Sequence, residues 1–161
     1  MQGAASALAA HALARADADT VAVIDCGVQG HHQLRALAAL RPVRRVRAFD
    51  RQARRRSEFA QCMADASAAP VEPFVSAGEA LRDSDIALVA TESRKPVVAA
   101  CDVPPRLHVS TRGADQPGKS ETAAELIEAG VFICDDRQRA VSTGAALGRV
   151  LRPWMLSSTR F

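Results

Sequence analysis

The sequence predicts an α/β fold: a single domain built on a doubly wound, mostly parallel sheet. Short runs rich in β-branched residues alternate with segments of helical spacing, which is typical of strand–helix–strand units. Right-handed crossovers between parallel strands then place helices on both faces of the sheet. The length of 161 residues and the hydrophobic content of 48% fit one ordinary domain with a buried core.

The periodicity of apolar residues predicts each element in turn. The predicted helices cover residues 3–16, 28–40, 53–66, 77–82 and 122–129. The predicted strands cover residues 20–25, 44–50, 71–75, 86–91, 107–111 and 131–134. Leu34, Leu37 and Leu40 are expected on one buried face of the second helix, and Gly130 is expected to end the last one. The residues at helical spacing in the third helix are Phe59, Cys62 and Met63.

Composition and charge exclude several classes of protein. The net charge of +3 is too small to indicate nucleic-acid binding by itself. No apolar run reaches the length of a transmembrane helix, so no membrane partner is expected. The four cysteines form no C-x-x-C pair, and no cluster of residues has the spacing of metal ligands. Free thiols in a reducing cytoplasm are the simplest interpretation.

The loop between the first strand and the second helix lies where a dinucleotide-binding fingerprint belongs. The fingerprint reads G-x-G-x-x-G, and its three positions are Asp25, Gly27 and Gly30. The second glycine lets the backbone approach a pyrophosphate, and the third lets helix and strand pack closely. A helix that begins near Val28 would direct free N–H groups at the phosphates. The pattern therefore predicts a Rossmann-like dinucleotide-binding domain.

Asp25 departs from the fingerprint at the position of the first glycine. That position makes a tight turn beside the anionic phosphates. A carboxylate there adds a side chain and a like charge, so we expect weak cofactor binding or none.

An acidic residue supports the dinucleotide interpretation independently. Asp50 ends the second strand, 20 residues after Gly30, where a ribose-binding acid is expected. The alternative is that Asp50 caps the helix that follows. The ribose role favours NAD, although Arg51 could hold a 2′-phosphate, so NADP stays open.

An arginine-rich stretch raises the separate hypothesis of nucleic-acid binding. Eight arginines occur between positions 41 and 56, with few aromatic residues among them. The alternative is that they lie on a solvated strand and helix. The eight residues are Arg41, Arg44, Arg45, Arg47, Arg51, Arg54, Arg55 and Arg56.

Three stretches together resemble the ornithine cyclodeaminase/mu-crystallin family, over residues 3–139. In GAASALAAHALARADADTVAVIDCGVQGHHQLRAL, an alanine-rich helix precedes the first strand, and Gln29 takes the glutamine position of the family's G-x-G-x-Q loop. DIALVATESRKPV is similar to a family strand end that bears threonine and serine, here Thr91 and Ser93. HVSTRGADQPGKSE looks like the family signature G-[AG]-D-x-P-G-K-x-E.

The resemblance implies a nicotinamide cofactor and oxidoreduction at a carbon–nitrogen bond of an amino acid or cyclic imine. Conversion of ornithine to proline and ammonia is the type reaction, and reduction of a cyclic imine carboxylate is a related one. Asp115 matches the family's catalytic aspartate, and such a reaction needs a group that moves protons on and off nitrogen. The alternative is that Asp115 opens an Asx turn. Thr91 and Ser93 match residues beside the nicotinamide, and simple strand-end polarity is their alternative.

The chain departs from the family at both ends. The family's substrate and dimerisation domain, with its substrate-binding lysine and arginine, has no match. We expect an N-terminal helix in 1–19, the dinucleotide-binding domain in 20–143 and a divergent tail in 144–161. We therefore expect little or no cyclodeaminase turnover by this chain alone, and self-association or a partner that supplies the substrate domain. The alternative is a non-catalytic NAD(P)-binding module or degenerate remnant.

Overall fold

Helices and strands alternate along the computed structural model, which describes residues 2–111, 121–134, 136 and 140. The helices are α1 (Gln2–Leu13), α2 (Val28–Leu40), α3 (Ala53–Ser67), α4 (Ala77–Arg82) and α5 (Ala124–Ala129). The strands are β1 (Thr20–Ile24), β2 (Arg45–Phe49), β3 (Val71–Phe74), β4 (Ile86–Val89) and β5 (His108–Thr111). A short 3₁₀ turn lies at Ala100–Asp102.

The five strands form one parallel sheet in the order β3-β2-β1-β4-β5. The chain winds outward from β1 through β2 and β3, then returns to place β4 on the other side of β1. The strand order therefore reverses between β1 and β4, and ligands of such sheets bind beyond the carboxyl ends of the strands at that point. The predicted doubly wound, parallel sheet is confirmed.

The described residues divide into two compact units. The first, called the sheet unit below, comprises residues 2–91 and 101–111 and contains the whole sheet. The second unit comprises residues 92–100 and the described residues from 121 onward. Within it, Val98 pairs with Thr122 in a parallel bridge, and the Val97 and Val98 N–H groups donate to the carbonyl of Glu121. The domain boundaries at 19/20 and 143/144 stay predictions.

The central strands β1 and β4 are buried along nearly their whole length. Helices on both faces exclude water, so the strands contain continuous apolar runs and not alternating polar positions. From α2, Leu34 and Leu37 are completely buried, as predicted, whereas Leu40 is 42% exposed. At 100° per residue, Leu40 lies about 120° around the helix from Leu34, which turns it off the buried face.

The third helix shows a similar outcome. Phe59 and Met63, four residues apart, are completely buried in the core, as their spacing predicts. Cys62 is exposed, although it shares their helical spacing. The apolar stripe of α3 is narrow, because Phe59 and Met63 alone lie one above the other on the same side of the helix.

Small residues let α1 approach α2 closely. A Cβ atom at Gly3 would lie 3.0 Å from the Cβ atom of His32, and Ala7 and Ala10 are completely buried. The alanine-rich composition of the first helix thus serves close helix packing. The helix ends at Leu13, three residues earlier than predicted, in a loop whose carbonyls bind a buried arginine, described below.

Gln33 is completely buried in the helix α2, and its side chain is only partly satisfied. Its Nε2 atom donates to Ser6 Oγ at 3.3 Å, while no described residue donates to Oε1. A buried acceptor without a donor costs free energy that an apolar group of similar shape does not. We expect Gln33→Met to raise the free energy of unfolding by about 1 kcal/mol in urea denaturation.

Gln61 provides the control for this substitution, because it is exposed on α3. Gln61→Met should change the free energy of unfolding by less than about 0.5 kcal/mol. If Gln33→Met lowered the free energy of unfolding while Gln61→Met left it unchanged, the result would contradict this expectation. The hydrogen bond and packing of the buried amide would then stabilise the fold by more than the unsatisfied Oε1 atom destabilises it.

The predicted strand at 131–134 is wrong. These residues form no regular element in the described part of the chain, and Val131 and Ile133 are 92% and 60% exposed. Their β-favouring composition is not sufficient, because a strand is stabilised by pairing and by packing against cross-strand neighbours. Gly130 does end α5, but with an extended backbone (φ −119°) and not in a left-handed cap.

No helix within the described ranges is both long enough and apolar enough to cross a bilayer.

Candidate nucleotide-binding site

The loop between β1 and α2 keeps the tight turn of the fingerprint although aspartate replaces the first glycine. Asp25 has φ 84°, in the left-handed region that glycine adopts most easily. Aspartate is one of the few other residues found there, because its short polar side chain can bond to the local backbone. The Asp25 N–H donates to the Phe49 carbonyl at 2.8 Å, which joins the turn to β2.

The Asp25 side chain folds back onto the loop. Its Oδ1 atom accepts a hydrogen bond from the Gly27 N–H at 2.9 Å, and the side chain is half-buried. Gly27 is the N-cap residue of α2, and no side chain caps the helix there. The carboxylate therefore bonds to one of the backbone N–H groups that a phosphate at this position would use.

Gly30 lies where helix and strand are in closest contact. A Cβ atom at this position would lie 2.4 Å from the Asp25 carbonyl oxygen and 3.1 Å from Val23 Cγ1. At Gly27 an added Cβ would meet only the end of the Asp25 side chain, at 2.9 Å. Gly30 is thus required by backbone packing, the role expected of the third glycine.

The first turn of α2 is open to solvent. Val28, its first residue, is exposed, and Gln29 is half-buried. The positive end of the helix macrodipole therefore lies at an accessible edge, next to the carboxyl end of β1. Contacts of Val28 and Gln29 with a cofactor stay predictions.

His31 supports the loop in a way that the sequence did not indicate. Its Nδ1 atom lies 3.0 Å from the Gly27 carbonyl, and because a carbonyl only accepts, Nδ1 carries the proton. The imidazole packs edge-on against Phe59, with ring centroids 4.6 Å apart. The side chain thereby links the loop to α3. The spacing of residues along the sequence gives no reason to assign this contact to His31 and not to its neighbour His32.

Asp50 is nearly buried, and both of its carboxylate oxygens accept backbone hydrogen bonds. Oδ2 accepts from the Cys26 N–H at 3.1 Å, and Oδ1 accepts from the Gln52 N–H at 2.8 Å. The Arg56 guanidinium also donates to the Asp50 carbonyl at 2.6 Å. Asp50 therefore joins the glycine loop to the start of α3. Its ribose-binding role stays a prediction, as does a phosphate contact from the exposed Arg51.

Thr91 and Ser93 belong to different units. Thr91 is buried in the sheet unit, two residues beyond the end of β4. Ser93 lies in the second unit, where its hydroxyl donates to the Lys95 carbonyl at 2.8 Å and accepts from the Lys95 N–H at 3.2 Å. These two hydrogen bonds form a local turn. Contacts of either residue with a cofactor stay predictions.

Asp115 and the whole GADQPGK segment lie outside the described residues, so the catalytic assignment of Asp115 stays a prediction. The last residue of the signature, Glu121, is described and is buried in the second unit.

Two members of the arginine-rich stretch are buried in the fold. The Arg41 guanidinium donates to four carbonyls at 2.6–3.4 Å, which belong to the end of α1 and the loop after it. Arg47 donates to the carbonyls of Glu79 and Ala80 at the end of α4 and lies 4.1 Å from the centre of the Phe74 ring. These guanidiniums bind backbone carbonyls, so neither side chain is available to a nucleic acid.

Others in the stretch form local pairs. Arg54 bonds to Glu58 at 2.6 Å, and Arg44 lies 3.2 Å from Asp19. Several of the eight arginines therefore make contacts within the protein and do not form a continuous patch of free positive charge. This weakens the nucleic-acid hypothesis.

Cys26, within the loop, is not a nucleophile. Burial, together with the nearby charges of Asp50 and Asp25, raises the pKa of its thiol to about 12. At pH 8 only roughly one such thiol in ten thousand is ionised, and the thiolate is the reactive form. Among the described residues, no group of three or more His, Cys, Asp and Glu side chains could hold a metal ion.

This pKa predicts the alkylation pattern of the native protein. We expect iodoacetamide at pH 8 to modify the exposed Cys62, Cys101 and Cys134 and to leave Cys26 unmodified. Peptide mass spectrometry would read each site, and unfolding in guanidinium provides the control in which all four thiols react. Modification of Cys26 in the folded chain at the rate of Cys62 would contradict the burial and the raised pKa.

The fold and the loop together define a class of protein. A parallel sheet with strand order 3-2-1-4-5 and a glycine-bearing turn at the carboxyl end of β1 is the Rossmann-like arrangement of dinucleotide-binding domains. The chain belongs to the ornithine cyclodeaminase/mu-crystallin family, whose model matches residues 2–151. The predicted family resemblance is confirmed.

Individual relatives carry related activities. The chain is 36% identical over 143 residues to an alanine dehydrogenase of Archaeoglobus fulgidus, covering 88% of this chain and 43% of the relative. It is 32% identical over 133 residues to an ornithine cyclodeaminase of Agrobacterium tumefaciens, covering 81% and 37%.

A solved structure of a third relative resembles the fold. Thermococcus litoralis Δ1-pyrroline-2-carboxylate reductase, in complex with NADH and L-proline, superposes with a TM-score of 0.73 at 31% identity. The match covers 77% of this chain and 38% of that chain. The chain thus spans less than half the length of each of these relatives.

Proposed function

We propose that this chain is the nicotinamide-dinucleotide-binding portion of an oxidoreductase that acts on a carbon–nitrogen bond of an amino acid or cyclic imine. One observation carries the proposal: the loop after β1 keeps the fingerprint's left-handed turn at Asp25 and its close glycine packing at Gly30. The loop ends at the open N-terminus of α2, beside the strand-order reversal. Its backbone fits a pyrophosphate.

Each part of the cofactor has proposed partners in the chain. The N–H groups of Gly27, Val28 and Gln29 would hold the pyrophosphate. The Asp50 carboxylate would accept a hydrogen bond from the adenosine ribose, which favours NAD. Arg51, exposed one residue later, would instead favour the 2′-phosphate of NADP.

The relatives indicate the class of reaction. Alanine dehydrogenase, ornithine cyclodeaminase and pyrroline-2-carboxylate reductase all act at a carbon that bears nitrogen. When bound, a nicotinamide supplies or accepts the hydride in such a reaction. The chain would contribute the proton transfer to or from nitrogen, and Asp115 is the residue we propose for it. Thr91 and Ser93 would contact the cofactor or substrate.

The substrate, the partners and the location of the whole protein are proposals as well. We infer an amino acid or cyclic imine carboxylate as substrate, held with the help of a partner domain or a second copy of the chain. The free thiols of the four cysteines support a location in a reducing cytoplasm.

A second candidate function has its own supporting observation. The Asp25 carboxylate bonds to the Gly27 N–H where a phosphate oxygen would bind. This favours a nucleotide-binding module of low affinity that has lost turnover.

Titration of the purified chain with NADH and NADPH, followed by nucleotide fluorescence, tests the proposal. We expect saturable binding that ADP-ribose competes away, with NADH bound more tightly than NADPH. Nicotinamide mononucleotide, which lacks the pyrophosphate and adenosine, is the control ligand and should compete poorly. Absence of saturable binding of either dinucleotide, by both the original chain and Asp25→Gly, would contradict the proposal.

Reduction of pyrroline-2-carboxylate with NADH, or oxidation of alanine or ornithine with NAD, would then separate the two candidate functions. Turnover by the chain, alone or with a partner that supplies the substrate domain, supports the enzyme. Binding without turnover of any of these substrates in the presence of that partner supports the module.

A further inference from the structure

We propose that Asp25 sets the nucleotide affinity of this chain by acting as an internal anion in the phosphate-binding loop. The inference rests on the proposed function, since it assigns to one residue the strength with which that site binds a pyrophosphate.

The geometry supplies the first argument. Asp25 Oδ1 lies 2.9 Å from the Gly27 N atom, the ordinary length of an N–H···O hydrogen bond. The left-handed backbone of Asp25 (φ 84°) brings its side chain over the N–H two residues later, as in an Asx turn. A carboxylate oxygen thus occupies the position at Gly27 that a phosphate oxygen would take.

A comparison with Asp50 shows why Asp25 is the decisive carboxylate. Asp50 also accepts from the loop, through the Cys26 N–H, but it is only 5% exposed and bonds to Gln52 as well. It belongs to the buried connection between β1, β2 and α3. Asp25 is half-buried, so the residue stays partly accessible to a ligand.

Two costs follow for a dinucleotide. The Gly27 N–H must leave its present acceptor before it can donate to a phosphate, and the gain of the new bond is offset by the loss of the old one. The phosphate also meets a like charge within a few ångströms. Like charges at such a distance near a protein surface weaken binding by roughly tenfold or more. Neither cost applies to adenosine, which has no phosphate.

Two substitutions at position 25 separate these costs. Asp25→Asn removes the charge and keeps both an acceptor for Gly27 and a side chain that tolerates the left-handed region. Asp25→Gly removes charge and acceptor, and glycine suits the turn. Asp17→Asn is the matched control, because it removes one exposed negative charge from the loop between α1 and β1, before the amino end of β1.

Calorimetric titration of the full chain and these variants with NADH, ADP-ribose and adenosine tests the inference. We expect the dissociation constant for NADH and ADP-ribose to fall about tenfold or more in Asp25→Gly, with Asp25→Asn between it and the original chain. Adenosine affinity and the Asp17→Asn variant should be unchanged. The difference between the original chain and Asp25→Asn should shrink in roughly 0.5 M salt, because salt screens exposed charges.

A second measurement does not depend on ligand. In the absence of nucleotide, amide hydrogen exchange at Gly27 should be faster in Asp25→Gly than in the original chain, because the N–H has lost its acceptor. Thermal unfolding of each variant confirms that the fold is kept.

Equal dissociation constants for NADH in the original chain and both Asp25 variants would overturn the inference and leave the proposed function standing. Weaker binding by Asp25→Gly would also overturn it. Absence of binding by every variant, Asp25→Gly included, would overturn both, since the loop would then hold no dinucleotide even without its carboxylate.

Discussion

Arg41→Met is expected to lower the free energy of unfolding by about 3 kcal/mol. The buried guanidinium donates to the carbonyls of Ala10, Arg15, Ala16 and Ala18, and the shortest of these hydrogen bonds is 2.6 Å. Methionine fills similar space but donates nothing, so carbonyls at the end of α1 lose their partner. Hydrogen bonds to a charged donor are stronger than neutral ones, and an unsatisfied buried acceptor is costly.

Urea denaturation of the full chain would measure this change, and thermal unfolding should show a midpoint lowered by roughly 10 °C. Arg44→Met is the control, because the Arg44 side chain is 82% exposed and its ion pair with Asp19 lies at the surface. It should cost less than about 0.5 kcal/mol. A loss below about 1 kcal/mol for Arg41→Met would show that water replaces the guanidinium at these carbonyls.

Gly30→Ala is expected to destabilise the chain by about 3 kcal/mol. The added Cβ would lie 2.4 Å from the Asp25 carbonyl oxygen, a distance that requires backbone movement of β1, its loop or α2. Alanine is intrinsically better than glycine inside a helix by about 1 kcal/mol. The steric clash must therefore cost more free energy than the measured loss of stability, because it also offsets this intrinsic gain.

Gly27→Ala is the matched control in the same loop. Its backbone (φ −78°) suits any residue, and its added Cβ would meet only Asp25 Oδ1, the end of a side chain that can rotate away. We expect a change below about 1 kcal/mol in the free energy of unfolding. If the two variants were equally stable, the close approach of α2 to β1 would not be what requires glycine at position 30.

The fold could be predicted largely from local patterns. The strand at residues 20–25 and the helix at 28–40 were recognised because their apolar residues follow the periods of the two structures. The run at 131–134 has an equally good strand composition and is not a strand. Composition reports how well a residue suits a strand, whereas the strand itself depends on a neighbour to pair with.

The sequence predicted which residues form the candidate site better than it predicted their hydrogen-bond partners. Gly27 and Gly30 were recognised from their spacing, and Asp50 from its distance along the chain. The partners of Asp50, the Cys26 and Gln52 N–H groups, could not be foreseen, since a carboxylate at a strand end has several donors within reach. His31 was missed because its contact with Phe59 depends on how α2 and α3 pack.

Local spacing predicted the alternation of strands and helices, the place of the nucleotide loop and the family, because each depends on residues that are near neighbours in the chain. The three-dimensional structure was needed to show that Arg41 is buried against the carbonyls after α1, and that Asp25 bonds to the Gly27 N–H. A sequence shows that an arginine or an aspartate is charged, but it does not show which backbone groups the side chain will bind. Arg41 meets carbonyls from a distant part of the chain, which packing brings together with it. Asp25 meets a nearby N–H because a turn with positive φ directs its side chain.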